Sequence, residues 1–305
     1  MFKKTLLALL LSYAATASAL PFSSRHALVF EEESGSVLLE KDANTVVPIA
    51  SLTKLMTAMV VLDAKQDMNE VISIEESDVD TLKHSSSRVP VGVNLARGDV
   101  LHLALMSSDN RAAAALARTY PGGRTAFLSA VKAKIAELGM SNTVIEEPTG
   151  LSPHNRSTAA DLVKMAKAAS SYPEITHLTT ESSDVFDING RHVEYRNTNR
   201  LVGRRGWDIL LSKTGFTQEA GRCLIMRMQA AGKHVIVVLL NAKESTARMV
   251  DAENVQRYLT GQPLFAAKST VRVATSKAKS GRRNGIMLVK SKAKSAKGHK
   301  KRRTV

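Results

Sequence analysis

Ser51 and Lys54 are the residues whose types and spacing first suggest chemistry. A serine hydroxyl is a weak nucleophile until a neighbouring base takes its proton. A lysine three positions on shares one helix face with it. That lysine can serve as the base only when neutral, against a reference pKa of about 10.4. Burial in apolar surroundings lowers the value, and enzymes bring such lysines to roughly 7–8. Two plainer readings compete for the pair. Ser51 can be a helix cap, and Lys54 can lay its stem on apolar surface with the ammonium in water. The same spacing recurs at Ser129/Lys132, Ser276/Lys279 and Ser291/Lys294, so spacing alone does not choose.

The element that must position the pair is a helix. Leu52, Leu55, Met56 and Met59 recur at i, i+3, i+4 and i+7. From 55 to 62 the sole polar side chain is Thr57. A helix apolar nearly all round belongs in a core. Ser51 falls at its N-terminal end, near the positive pole of the dipole.

Two further triplets follow in the chain. Ser108-Asp109-Asn110 precedes an alanine-rich stretch at 111–119 that is helical by propensity, which places Ser108 and Asn110 on a turn between two helices. Lys213-Thr214-Gly215 ends an apolar run from 209 that reads as a strand. Ser-x-x-Lys, Ser-x-Asn and Lys-Thr-Gly in this order are the motif set of serine beta-lactamases and penicillin-binding proteins. The chain resembles that superfamily over roughly residues 25–262, and within it the low-molecular-mass D-alanyl-D-alanine peptidases. The match is close at 48–57 (PIASLTKLMT) and 213–217 (KTGFT), and the run 96–110 looks like the endopeptidase branch.

The resemblance implies roles for the matching residues. Ser51 is the nucleophile and Lys54 its base. Ser108 hydrogen-bonds that pair and passes a proton to the leaving amine. Asn110 holds the acyl-side amide of the substrate. Lys213, Thr214, Gly215, Phe216 and Thr217 form the wall that binds substrate, and the backbone N–H groups of Ser51 and Phe216 make the oxyanion hole. One such donor is typically worth roughly 3 kcal/mol of barrier. Asp109 is expected to point away, as a cap or buried partner. Arg222 is left between a carboxylate-binding role and a plain sheet-edge position.

The implied activity is a serine DD-endopeptidase that hydrolyses D-alanyl cross-links of peptidoglycan through an acyl-enzyme and is sensitive to beta-lactams. A D-alanyl-D-alanine carboxypeptidase carries every one of these motifs and stays open. A beta-lactamase of the Glu-assisted kind needs a carboxylate for the deacylating water. Glu146 and Glu147 stand just before the loop 148–157, but nothing in the sequence marks either for that task. A non-catalytic cell-wall-binding protein is the reading from another class.

The remaining segments predict an α/β (α+β) fold, an antiparallel sheet flanked by helices with a mostly helical subdomain. Residues 27–40 read as a hairpin around Ser34-Gly35. Residues 127–138, 158–170 and 245–259 read as helices. Residues 185–193 and 195–201 read as strand segments around Asn189-Gly190, a strong hairpin signal. Residues 222–229 and 234–241 read as strands joined by a Gly-containing turn. The polar stretch 81–93, with His84, Ser85, Ser86, Ser87 and Arg88, is either a border of the cleft or a plain exposed loop. The eight histidines form no zinc spacing and no Gly-rich phosphate loop occurs. No metal and no cofactor are expected.

Charge divides the chain. The formal net charge is +15, and residues 261–305 hold 14 Lys or Arg with no Asp or Glu, leaving +1 for the rest. Residues 1–19 read as a cleaved secretory signal, with Lys3 and Lys4, a short apolar core and Ala17-Ser18-Ala19. The expected organisation is therefore a signal at 1–19, a catalytic domain at 20–262 and a basic, disordered tail at 263–305. Export to the periplasm makes nucleic acid an unexpected partner, and the tail is expected to contact anionic cell-wall or membrane surface. Cys223 is alone and reads as a small buried hydrophobe.

Overall fold

The computed structural model describes residues 22–265. The expected signal at 1–19 and the tail from 266 onward lie outside the described residues. Among the described residues no helix is long and apolar enough to cross a membrane.

The chain opens with a hairpin, β1 (His26–Glu31) and β2 (Ser36–Lys41), as its alternating apolar runs predict. The short β3 (Val47–Pro48) leads into a single 3₁₀ turn, Ala50–Leu52, and α1 (Thr53–Asp63). The helix expected from residue 51 is thus a 3₁₀ turn followed by an α-helix. Then come β4 (Val71–Ser73), a 3₁₀ turn at Glu76–Asp78, β5 (Asn94–Ala96), α2 (Arg97–Leu105), α3 (Asn110–Arg118) and α4 (Gly123–Glu137). β6 (Arg156–Ser157), α5 (Ala159–Ala169) and α6 (Pro173–Thr180) follow. A second hairpin, β7 (Ser183–Asp187) and β8 (His192–Arg196), precedes three ten-residue strands. These are β9 (Asp208–Thr217), β10 (Gly221–Ala230) and β11 (Lys233–Ala242), and α7 (Ser245–Leu259) closes the series.

The main sheet is antiparallel throughout, in the order β2-β1-β11-β10-β9. Its middle strands alternate between two apolar faces. Cys223, Ile225, Ile236 and Val238 face the core that contains α1 and α5. Leu224, Met226, Val235 and Val237 face a second cluster with Ala252 and Val255 of α7. A strand apolar on both faces must be covered on both, and helices do so here. α1 lies at the centre of the larger cluster, with Leu52, Leu55, Met56 and Met59 fully buried. It packs against α2, α3 and α4 and against α5, which lies on β1, β10 and β11 and so links the sheet to the helical part. The expected antiparallel sheet with flanking helices and a helical subdomain describes this arrangement.

Several expected boundaries differ. The strand segments assigned to 185–193 and 195–201 are the shorter β7 and β8. Asn189 and Gly190 take positive φ, +55° and +77°, which ends both strands at the turn. Beyond β8, Asn197 N still donates to the Ser182 carbonyl at 2.8 Å, and its side-chain amide donates to the Thr179 and Glu181 carbonyls. α4 begins four residues earlier than expected, at Gly123, behind a left-handed Gly122. Ordered contacts also run three residues beyond 262, where Phe265 N donates to Asn254 Oδ1 at 2.8 Å.

Met59 is fully buried at the centre of this core. Its replacement by Ala should lower stability by about 2–5 kcal/mol, the usual cost of a buried Met or Leu truncation, in urea unfolding followed by circular dichroism.

Candidate active site

Ser51 sits in the 3₁₀ turn, and no side-chain cap bond is made at Ile49 or Leu52, the residues that open the turn and α1. The cap reading of Ser51 therefore has no hydrogen bond behind it. Its Oγ instead receives Lys54 Nζ at 3.0 Å. Ala50, just before it, takes φ +47°, a conformation that costs a residue with a Cβ on the order of 1 kcal/mol or more. Two glycines close on this backbone. A Cβ at Gly150, φ +87°, would lie 2.0 Å from the Ala50 carbonyl oxygen. A Cβ at Gly215 would lie 3.0 Å from Ser51 N. Both positions require glycine for the backbones of β9 and of the 148–152 loop to reach the turn that carries Ser51.

Lys54 is 1% exposed. Its Nζ donates to Ser51 Oγ, to Asn110 Oδ1 at 2.7 Å and to the Thr149 carbonyl at 2.8 Å. Three acceptors use all the donors an ammonium has, and no part of the side chain reaches water. Burial brings its pKa down to about 8, while the charges of Glu147 and Asp109 oppose the fall.

Lys213, also 1% exposed, stands on β9. Its Nζ donates to Ser108 Oγ at 2.8 Å and to the Thr214 carbonyl at 3.1 Å. Burial pushes its pKa well below the lysine range, and the charges of Lys54 and Arg248 push further. The site thus holds two buried lysines, and the charge of Lys54 disfavours that of Lys213.

Ser108 lies on the turn between α2 and α3 with φ +61°. The expected hydrogen bond from Ser108 to the Ser51/Lys54 pair is absent, and its hydroxyl serves Lys213. The reason is one of supply. Lys54 has its three acceptors already, whereas Lys213 has only one other, and a buried amine without partners is costly. Asn110 opens α3, where Oδ1 accepts from Lys54 and Nδ2 donates to Ser85 Oγ at 2.8 Å. Asp109 caps α3, accepting from Ala112 N at 3.0 Å and from Ser87 Oγ at 2.7 Å, so it points away from Lys54 as expected.

Of the other wall residues, Thr214 Oγ1 donates to Thr198 Oγ1 at 2.7 Å, and Thr217 Oγ1 accepts from Ala220 N at 3.1 Å. The Phe216 ring is 48% exposed, and the Arg222 guanidinium lies over it, 3.6 Å from the centroid.

Glu147 is the residue whose place the sequence does not reveal. Its carboxylate accepts from the backbone N–H of Thr149 at 2.7 Å, Gly150 at 2.6 Å and Ser152 at 3.3 Å. It also accepts from Asn155 Nδ2 at 3.0 Å. This carboxylate folds the loop that delivers the Thr149 carbonyl to Lys54. The same bonds occupy it, which removes it as a ready base for a water molecule. The only signal available was an acid ahead of Pro148-Thr149-Gly150, a turn-forming run.

The polar stretch 81–93 does border a cleft. A cavity of about 430 Å³ is lined by Ser86 and Arg88 from it, by Ser107 and Ser108, and by Glu194, Tyr195 and Arg196. Lys83 forms an ion pair with Glu219 in the turn after β9, which ties this stretch to the far wall. Cys223 is buried and burial raises its pKa to about 11, so it packs as a hydrophobe.

The family model for D-alanyl-D-alanine carboxypeptidases, Peptidase_S11, matches residues 13–244. The chain is 47% identical over 243 residues to a D-alanyl-D-alanine endopeptidase of Pseudomonas aeruginosa, covering 79% of this chain and 78% of that one. It is 44% identical over 248 residues to a D-alanyl-D-alanine endopeptidase of Escherichia coli, covering 81% and 80%. Its fold is similar to that of penicillin-binding protein D2 from Listeria monocytogenes, solved in an ampicillin-bound form. The TM-score is 0.68 at 30% identity, covering 80% of this chain and 99% of that one.

Glu147→Gln tests the loop assignment. Removing the charge that holds the Lys54 pKa up should move the pH midpoint of Ser51 acylation by an active-ester probe to lower pH. An amide in place of the carboxylate must leave at least one loop N–H poorly paired, so stability should fall by about 1–3 kcal/mol in urea unfolding.

Proposed function

The chain belongs to the D-alanyl-D-alanine carboxypeptidase family of serine peptidases, and we propose that within it this protein is an exported DD-endopeptidase that hydrolyses D-alanyl cross-links between peptidoglycan stem peptides. The observation that carries the reading is Lys54 Nζ, fully buried and 3.0 Å from Ser51 Oγ, with its pKa lowered to about 8.

Neutral Lys54 takes the proton of Ser51 as Oγ attacks the D-Ala carbonyl. The developing oxyanion lies between the N–H groups of Ser51 and Phe216, donors fixed before the reaction. Ser108 gives its proton to the leaving amine and is resupplied with the one Lys54 took from Ser51. This leaves Lys54 neutral again for the attacking water, while Lys213, 2.8 Å away, orients the Ser108 hydroxyl. Asn110 Nδ2 exchanges the Ser85 hydroxyl for the substrate's acyl-side carbonyl. Thr214 and Thr217 bind the far side of the substrate along β9. Water then hydrolyses the acyl-enzyme.

A beta-lactam acylates Ser51 by the same path. Glu147 is committed to its loop, so release is slow and the protein is a target of penicillins rather than their hydrolase. Two relatives at 44% and 47% identity carry the name endopeptidase, which supports cleavage of cross-links over trimming of stems. The periplasm is the proposed location, with the basic segment from 263 on holding the enzyme to anionic cell-wall or membrane surface.

Purified protein is incubated with cross-linked muropeptide dimers and, separately, with monomeric pentapeptides, and the products are weighed. Conversion of dimers to monomers is expected. Loss of one alanine from pentapeptides with dimers untouched would make the enzyme a carboxypeptidase instead. Ser51→Ala should take up no penicillin covalently, and full labelling of that variant would sink the assignment. Lys54→Ala should lose acylation by at least ~10²-fold, the scale of a positioned general base, with its circular dichroism spectrum unchanged.

A further inference from the structure

We propose that His102, Glu181 and Asp184 form a binding site for a divalent metal ion of the zinc class, separate from the serine site. His102 is on α2, Glu181 ends α6 and Asp184 is on β7. One donor atom from each lies within 4.8 Å of the others. That is a small side-chain rotation from the spacing set by an ion with N and O ligands at about 2.0–2.2 Å. An imidazole with two carboxylates suits a borderline ion such as zinc.

The pairing inside the cluster argues for a missing third party. The His102 side chain is 8% exposed, and its Nε2 stands 2.7 Å from Glu181 Oε2. Yet the two atoms are out of alignment for a hydrogen bond, and neither has another partner among the described residues. Buried polar atoms left in this way are costly. An ion placed between converging donors satisfies both. Asp184 Oδ2 approaches from the other side, 3.5 Å from His102 Nδ1. His177 Nε2, one helical turn before Glu181, lies 2.9 Å from its other oxygen. Asp99 adds negative potential beside His102 and Asp184. It also lines a cavity of about 370 Å³, with Asp187 and Asn189.

The position gives the ion a consequence. Phe186 of β7 packs edge-on against both His102 and Tyr195, at 5.0 and 5.5 Å between ring centroids. Tyr195, with Glu194 and Arg196, walls the cavity beside Ser108. A bound ion would staple the β7–β8 hairpin to α2 and α6 and so steady that wall.

Zn²⁺ is titrated into metal-free protein by calorimetry, and into Asp184→Asn and Glu181→Gln. Asp184 is half exposed, 49%, so its variant should keep the fold, which circular dichroism checks. One zinc equivalent is expected in the parent protein, weakened at least ~10-fold in each variant. Amide exchange over 183–196 should slow with zinc in the parent alone. Equal zinc uptake by all three proteins, or none by the parent, would overturn the site and leave the cluster a plain ion-pair network.

Discussion

The amine of Lys54 is shut away from water and held by three oxygens, and the rest of the site is arranged around that requirement. A buried lysine is tolerated only if every donor finds an acceptor, and the three come from three parts of the chain: the 3₁₀ turn, α3 and the 148–152 loop. Each must arrive within hydrogen-bond reach at once. α1 supplies the rigid stem, buried on nearly every side. Asp109 caps α3 and so sets where Asn110 stands. Glu147 gathers the loop amides and so sets where the Thr149 carbonyl points.

The same desolvation makes the amine useful. An exposed lysine would hold its proton at neutral pH, and as a base it would be spent. Here burial dominates the charges of Glu147 and Asp109, and the pKa falls to about 8. Lys213, on the sheet side, is buried too, and burial lowers its own pKa with the charge of Lys54 adding to the fall. The strained Ala50 and the two close-packed glycines belong to the same economy of space: they let β9 and the loop come up against the turn that carries Ser51.

Much of this was legible in the residues. The apolar period at 52–59 marks α1 as a core helix, and the three short motifs single out Ser51, Lys54, Ser108, Asn110 and Lys213, which the fold brings to one cleft. The apolar runs at 209–217, 222–229 and 234–241 become the three long strands, because residues apolar on both faces suit a sheet covered twice. What was not legible depends on partners chosen in space. Ser108 pairs with Lys213 because Lys54 is already saturated, a fact of acceptor supply that spacing does not carry. Glu147 reads as an ordinary acid before a turn until the loop amides converge on it. His102, Glu181 and Asp184 come from three elements with no local ligand spacing, so only the packing of α2 against α6 and the hairpin unites them.

The most direct measurement is the titration of Lys54 itself, by NMR of protein labelled at the lysine side-chain nitrogen and carbon, with its signal assigned from a Lys54→Arg variant. The account predicts a midpoint near 8, about where burial places it, with loss of the proton as pH rises through that value. A Lys54 signal that titrates near the ordinary 10.4 would mean that the amine stays charged beside Ser51, and the general-base account would fail.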